Sequence, residues 1–129
     1  KYIAPQAIEI CVNEDKYIEM IAVIADERKF VSALIVPDYA ALKAYADENK
    51  IHYDDEQELL TNKDILRMLD GRIEIAQARF APYEKIKRYT LLPEPFTMEG
   101  GELTNTLKIK RKTVAEKYKG IIDKMYEEK

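Results

Sequence analysis

Two side chains that commonly build metal and redox sites are nearly missing from this sequence, which has one cysteine, Cys11, and one histidine, His52. A single cysteine excludes an intramolecular disulfide and fits a reducing, cytosolic compartment better than a secretory one. His52 stands in a polar stretch with no Cys or second His beside it, so it reads as a surface residue and not as a metal ligand. No Ser/Cys-His-acid set can be assembled around it, which removes a self-sufficient hydrolase. Long apolar runs are also absent: none approaches the roughly 20 residues of a membrane-spanning helix, and Lys1-Tyr2-Ile3-Ala4-Pro5 lacks the layout of a signal peptide. The expectation is a soluble, cytoplasmic protein. Finally, no one sign of charge is concentrated. The 21 Lys and Arg are spread among 24 Asp and Glu for a net charge of -3, which leaves no electrostatic case for nucleic acid as a partner.

What is present suffices for one compact core: 129 residues, 47% of them hydrophobic. The sequence opens on Lys1 without a Met and enters an ordered pattern at once, so a piece of a longer chain is expected. Pro5 suits the first turn of a short helix that carries Ile8, Cys11 and Val12 on one face. Residues 20–25 and 30–36 are apolar, β-branched runs separated by Asp26-Glu27-Arg28-Lys29, which predicts a β-hairpin. Because both faces of each run are apolar, helices are expected on more than one side of the sheet. Pro37 ends the second strand, and Asp38 caps a helix running to about Asn49.

Asn62 caps a long helix whose stripe is Ile65, Leu69, Ile73, Ala76 and Phe80, with Pro82 as its stop. Residues 87–92 read as a third strand, followed by a long loop to about Thr106 punctuated by Pro93, Pro95, Gly100 and Gly101. Val114, Tyr118, Ile121, Ile122 and Met125 place one stripe on a terminal helix. No internal repeat or low-complexity tract interrupts this order. The sum is an α+β domain, with a hairpin and a third strand covered by helices, rather than a parallel nucleotide-binding sheet.

Lys108, Lys110, Arg111 and Lys112 crowd cations at the start of the terminal helix, against the helix dipole. Departures from local rules fall preferentially at functional sites, although a solvated basic turn has the same composition. The remaining features carry less. Cys11 lies on an apolar stripe and reads as a small buried hydrophobe. Asp54-Asp55-Glu56 reads as an exposed acidic helix start. Gly100-Gly101 lacks the phosphate-loop pattern and reads as a hinge for the lysine loop, with the segment from Thr97 to Leu107 as the most mobile interior stretch. The nine tyrosines are scattered and form no stacking platform.

Four segments together are more specific than any of these. Glu102-Leu103-Thr104-Asn105-Thr106-Leu107-Lys108-Ile109-Lys110-Arg111 resembles the E-L-T-P-T-L-K-x-K-R motif near the end of long-chain acyl-CoA synthetases, departing from it at Asn105, where that family has Pro. Lys1-Tyr2-Ile3-Ala4-Pro5-Gln6-Ala7-Ile8-Glu9 resembles its G-K-x-I-A-P-x-x-I-E segment. Leu34-Ile35-Val36-Pro37-Asp38 resembles its strand ending in V-P-D, and Tyr83-Glu84-Lys85-Ile86-Lys87 its F-E-x-I-K. The four occur in the family's order and span the chain.

The resemblance implies that residues 1–129 are the single, mobile C-terminal domain of a larger adenylate-forming ligase whose N-terminal AMP-binding domain lies outside this chain. In that family ATP and a fatty carboxylate give an acyl-adenylate and pyrophosphate, after which the CoA thiol displaces AMP. By the same resemblance Lys108 is the lysine that enters the active site for adenylation. Lys1, Tyr2, Ile3 and Ala4 then belong to the loop that faces the active site during thioester formation. ATP, CoA and Mg²⁺ are implied for the full-length enzyme, with none held by this domain alone and no metal site of its own. The implied partners are its own N-terminal domain and the three substrates, fatty acid, ATP and CoA. Peripheral attachment of the full-length enzyme to a membrane is compatible with this. The competing reading is a non-catalytic interaction module that keeps the fold, and the two part at Lys108, which a ligase requires and a module tolerates as Ala.

Overall fold

The computed structural model describes residues 2–128. Its frame is a three-stranded sheet in the order β1 (Ile18–Ile24), β2 (Val31–Pro37), β3 (Ile86–Leu91). β1 and β2 pair antiparallel, with Ile21 opposite Ile35 and Val23 opposite Ala33. β3 lies parallel to β2, so the chain must cross over between them, and it does so through α2 (Tyr39–Glu48) and α3 (Lys63–Ala76).

Alternation along the strands divides the interior in two. Ile21, Val23, Ala33 and Ile35 point to one face, where α1 (Pro5–Val12) brings Ile8 and Val12, α2 brings Leu42 and Ala46, and α3 brings Ile65, Leu69 and Ile73. Ala22, Ile24, Leu34 and Val36 point to the other. There they meet Phe96, Leu103, Val114 from α4 (Arg111–Lys117), and Ile122 and Met125 from α5 (Lys119–Met125). The sheet is therefore buried on both faces, as its doubly apolar strands predict, and the fold is the expected α+β arrangement.

The caps follow the sequence. The Asp38 carboxylate accepts the Ala41 N–H, and Asn62 accepts the N–H groups of Asp64 and Ile65. Two elements differ from expectation. α3 ends at Ala76 instead of running to Phe80, because the buried Gln77 turns its amide onto β3, accepting the Ile86 N–H and donating to the Ile86 carbonyl. The terminal helix is broken into α4 and α5 at Tyr118, whose backbone is not helical.

Candidate functional site

Lys108 stands on a tight turn between the buried Leu103 and the half-buried Ile109. Leu103 and Ile109 form an isolated antiparallel bridge, and between them the Thr104 N–H donates to the Lys108 carbonyl while the Lys108 N–H donates to the Thr104 hydroxyl. Leu107 closes the turn with φ +64°, the left-handed region that a branched side chain adopts at a cost of about 1–2 kcal/mol. Asn105, Thr106, Leu107 and Lys108 are exposed. The Lys108 ammonium makes no ion pair or hydrogen bond with any described residue. It borders a groove of about 550 Å³ whose other walls come from α1 and β1, with Ile10 and Leu107 as exposed apolar neighbours and Glu19 as an acidic one.

The base of this turn is built by Glu102, only 2% exposed. Its carboxylate accepts the Thr97 N–H at 2.9 Å and the Tyr118 hydroxyl at 2.7 Å, and it pairs with Lys117 at 3.2 Å. Burial by itself would raise the Glu102 pKa, but these donors outweigh it and hold the group below the usual carboxylate value. Tyr118 responds in the opposite sense, pushed up to about 12 by burial and by the carboxylate beside it. The Glu102 backbone is engaged too, its N–H donating to Thr97 and its carbonyl accepting from Lys110. The segment expected to be the most mobile is thus stapled from Thr97 to Leu103. Gly101, at φ +81°, forms a turn there, so the glycine pair sits in a hydrogen-bonded corner.

Of the four clustered cations, which the sequence leaves equivalent, Arg111 is used internally. It forms a two-pronged ion pair with the buried Glu9 of α1 and donates to the Val23 carbonyl, while the Val23 N–H donates to Glu9. Lys108, Lys110 and Lys112 remain without an ionic partner among the described residues.

The structure does not bring Lys108 together with the other candidate segment. Lys1 lies outside the described residues. Tyr2 is exposed, Ile3 packs half-buried beside Ala25 and Arg28 at the turn of the β1–β2 hairpin, and Ala4 caps α1. Lys108 shares its groove with residues along α1, from Gln6 to Asn13, and with Glu19 of β1, whereas Ile3 lines a different pocket.

His52 is exposed and faces Asp54, and the Asp55 carboxylate caps a short 3₁₀ turn over Glu56–Leu60. Cys11 is half-buried, donating to the Ala76 carbonyl and approached by Arg79. No cluster of three or more His, Cys, Asp or Glu placed to hold a metal is found among the described residues. Among the described residues, no helix is long and apolar enough to cross a membrane. The residues that sequence reasoning missed are Glu9, Gly100 and Tyr118, along with the structural parts played by Glu102 and Arg111. Glu9, Glu102 and Arg111 all sit inside the matched motifs, which is the signal that could have found them.

The comparisons with known proteins agree with the resemblance. Long-chain-fatty-acid–CoA ligase FadD15 of Mycobacterium tuberculosis is 32% identical over 127 residues, covering 98% of this chain and 21% of that protein. Long-chain-fatty-acid–CoA ligase 1 of Homo sapiens is 30% identical over 129 residues, covering 98% and 18%. The chain thus spans about a fifth of the length of these relatives. Among solved structures, the A domain of carboxylic acid reductase from Segniliparus rugosus, in complex with AMP and a co-purified carboxylic acid, superposes with a TM-score of 0.76 at 20% identity. That match covers 98% of this chain and 18% of the other. The Mycobacterium tuberculosis fatty acyl CoA synthetase matches at 0.54 and 18% identity, over 94% and 19%. At such identities the structures speak for the fold alone. The family model of the AMP-binding enzyme C-terminal domain matches residues 1–129, and the chain belongs to that family.

Proposed function

We propose that this chain is the mobile C-terminal domain of an AMP-forming long-chain fatty acid–CoA ligase, acting with an N-terminal AMP-binding domain outside it. Lys108 is its adenylation lysine. The segment Lys1, Tyr2, Ile3 and Ala4 serves the thioester-forming step. The substrate class comes from the relatives that share about 30% identity across the whole chain. The observation that carries the catalytic assignment is the ammonium of Lys108, left without a partner on a turn closed by hydrogen bonds between Thr104, Leu107 and Lys108.

Attack of a carboxylate on the α-phosphate of ATP brings two anions together. A preorganised ammonium between them stabilises the charge that develops, and it remains protonated throughout. Mg²⁺ would supply further charge neutralisation on the phosphates. Lys108 and Ile3 line different pockets of the domain surface, which suits a rotation that presents one and then the other. The whole enzyme would work in the cytoplasm, with peripheral attachment to a membrane.

The test is Lys108→Ala in the full-length enzyme, followed by each half-reaction separately. Pyrophosphate release should fall by about 10² to 10³, the loss typical of one electrostatic donor, while thioester formation from synthetic acyl-adenylate stays near its original rate. Lys110→Ala and Lys112→Ala, removing exposed charges, should cost little in either step. Equal losses in both half-reactions, or none in either, would overturn the assignment and favour an interaction module.

A further inference from the structure

The turn that carries Lys108 is tied to the rest of the domain by the buried carboxylate of Glu102 at its start, beside the Arg111–Glu9 pair that follows it. The turn itself has little packing: from Asn105 to Lys108 its side chains are exposed, and only Leu103 and Ile109 at its feet reach the second core. Its internal hydrogen bonds give it a shape but no orientation relative to the helices. Orientation comes from Glu102, which joins the preceding segment at Thr97 to the end of α4 at Lys117 and Tyr118, and whose backbone carbonyl holds Lys110 on the return strand.

A second feature is built around the same carboxylate. A Cβ placed on Gly100 would lie 2.5 Å from Glu102 Oε1 and 3.2 Å from Lys117 Nζ. Gly100 has no left-handed backbone to accommodate, so the space it leaves open serves the carboxylate and its partners. Glycine here permits the approach of Glu102 to the Thr97 N–H.

We infer that Glu102 is a positioning residue for the adenylation step, aiming the turn that carries Lys108 through its bonds to Thr97, Lys117 and Tyr118. The inference rests on the assignment of Lys108 above and adds the device that keeps its ammonium on target. A charge delivered by domain motion loses effectiveness steeply when misplaced, a displacement of about 1 Å being enough for roughly a hundredfold loss. Glu102 makes no contact with Lys108 and acts only through the backbone between them.

The experiment is a double-mutant cycle in the full-length enzyme, with Glu102→Gln, Lys108→Ala and the pair, plus Gly100→Ala as an independent way to displace the same carboxylate. Pyrophosphate release and thioester formation from synthetic acyl-adenylate are measured separately, beside the melting temperature of each variant. Glu102→Gln and Gly100→Ala should each slow adenylation by about tenfold and leave the thioester step unchanged. Glu102→Gln should add no further loss in the Lys108→Ala background, because an aim matters only while there is something to aim. Additive losses in the double variant, equal losses in both half-reactions, or no loss in adenylation would each overturn the inference. If Glu102→Gln fails to fold, Gly100→Ala carries the same cycle. A Lys108→Ala enzyme with full adenylation would instead fail the assignment of Lys108. Impaired Lys108→Ala beside unimpaired Glu102→Gln fails the positioning role alone.

Discussion

Glu9 and Arg111, 102 residues apart, form a two-pronged ion pair that closes around the backbone of Val23, taking its N–H on the carboxylate side and its carbonyl on the guanidinium side. The pair ties α1 and the first residue of α4 to the edge strand β1. Each residue is the last of a matched motif, so the pair joins the two segments that the resemblance assigns to opposite half-reactions. A domain that rotates between two closed states needs such a joint, since a loose one would let one segment drift while the other is docked.

Arg111→Ala should therefore destabilise the isolated domain by about 2–4 kcal/mol, because it leaves a buried carboxylate with the Val23 N–H as its remaining partner. Arg111→Lys should recover only part of this, a point charge being unable to reproduce the fork that spans both oxygens of Glu9. Urea denaturation of the three proteins measures both effects. A loss below about 0.5 kcal/mol for Arg111→Ala would make the pair an ordinary surface contact.

The isolated chain should unfold in one cooperative transition, since the sheet is covered on both faces by helices that bury Ile8, Leu42, Leu69, Val114 and Ile122. It should make no acyl-CoA from fatty acid, ATP and CoA. Near-ultraviolet circular dichroism through a thermal melt checks the first claim, and turnover by the purified chain would contradict the second.

The strands, the hairpin, both side-chain caps at Asp38 and Asn62 and the division of the sheet into two apolar faces were legible, because each is written within a few residues of its own position. What was not legible depends on partners far along the chain. The spacing that carries α3 on to Phe80 is real, yet Gln77 leaves the helix to bond both backbone groups of Ile86. The stripe on the terminal helix is also real, and the chain still breaks at Tyr118, where the hydroxyl reaches Glu102. The four cations looked equivalent in sequence. Only the fold separates Arg111, absorbed by Glu9, from Lys108, left open to the groove.

Tyr118 gives a pH dependence whose sign can be worked out. Its pKa is pushed up to about 12 from an ordinary 10.0, chiefly by burial and then by Glu102. The folded state thus binds the phenolic proton more tightly than the unfolded one. Its contribution is fully present below pH 10 and is lost as pH rises from about 10 to 12. Glu102 has the opposite sense: its lowered pKa gives a contribution present above the ordinary carboxylate range and lost in acid, as pH falls through the folded value. Tyr118→Phe should accordingly flatten the alkaline limb of stability against pH. Urea midpoints of the isolated domain at several pH values would check this, and an unchanged alkaline limb would mean that the Tyr118 phenol is not held up in the folded state.

The last prediction sets two left-handed positions of the lysine segment against each other. Gly101, at φ +81°, can take this backbone freely, whereas Leu107, at φ +64°, takes it at a cost. Gly101→Ala should therefore destabilise the isolated domain by about 1 kcal/mol or more, even though a Cβ there would meet nothing closer than the Thr113 methyl at 3.8 Å. Space is available, and the penalty is conformational. Leu107→Gly acts in the reverse sense on the folded state by relieving strain, and in the same destabilising sense through the unfolded chain, which glycine makes more flexible. With the leucine side chain 66% exposed, little buried surface is at stake. The two terms nearly cancel, and the stability should stay within about 0.5 kcal/mol. Chemical denaturation of both variants decides the matter. A loss above about 2 kcal/mol for Leu107→Gly would mean that its side chain packs in solution, and a neutral Gly101→Ala would mean that the corner at residue 101 adopts another backbone there.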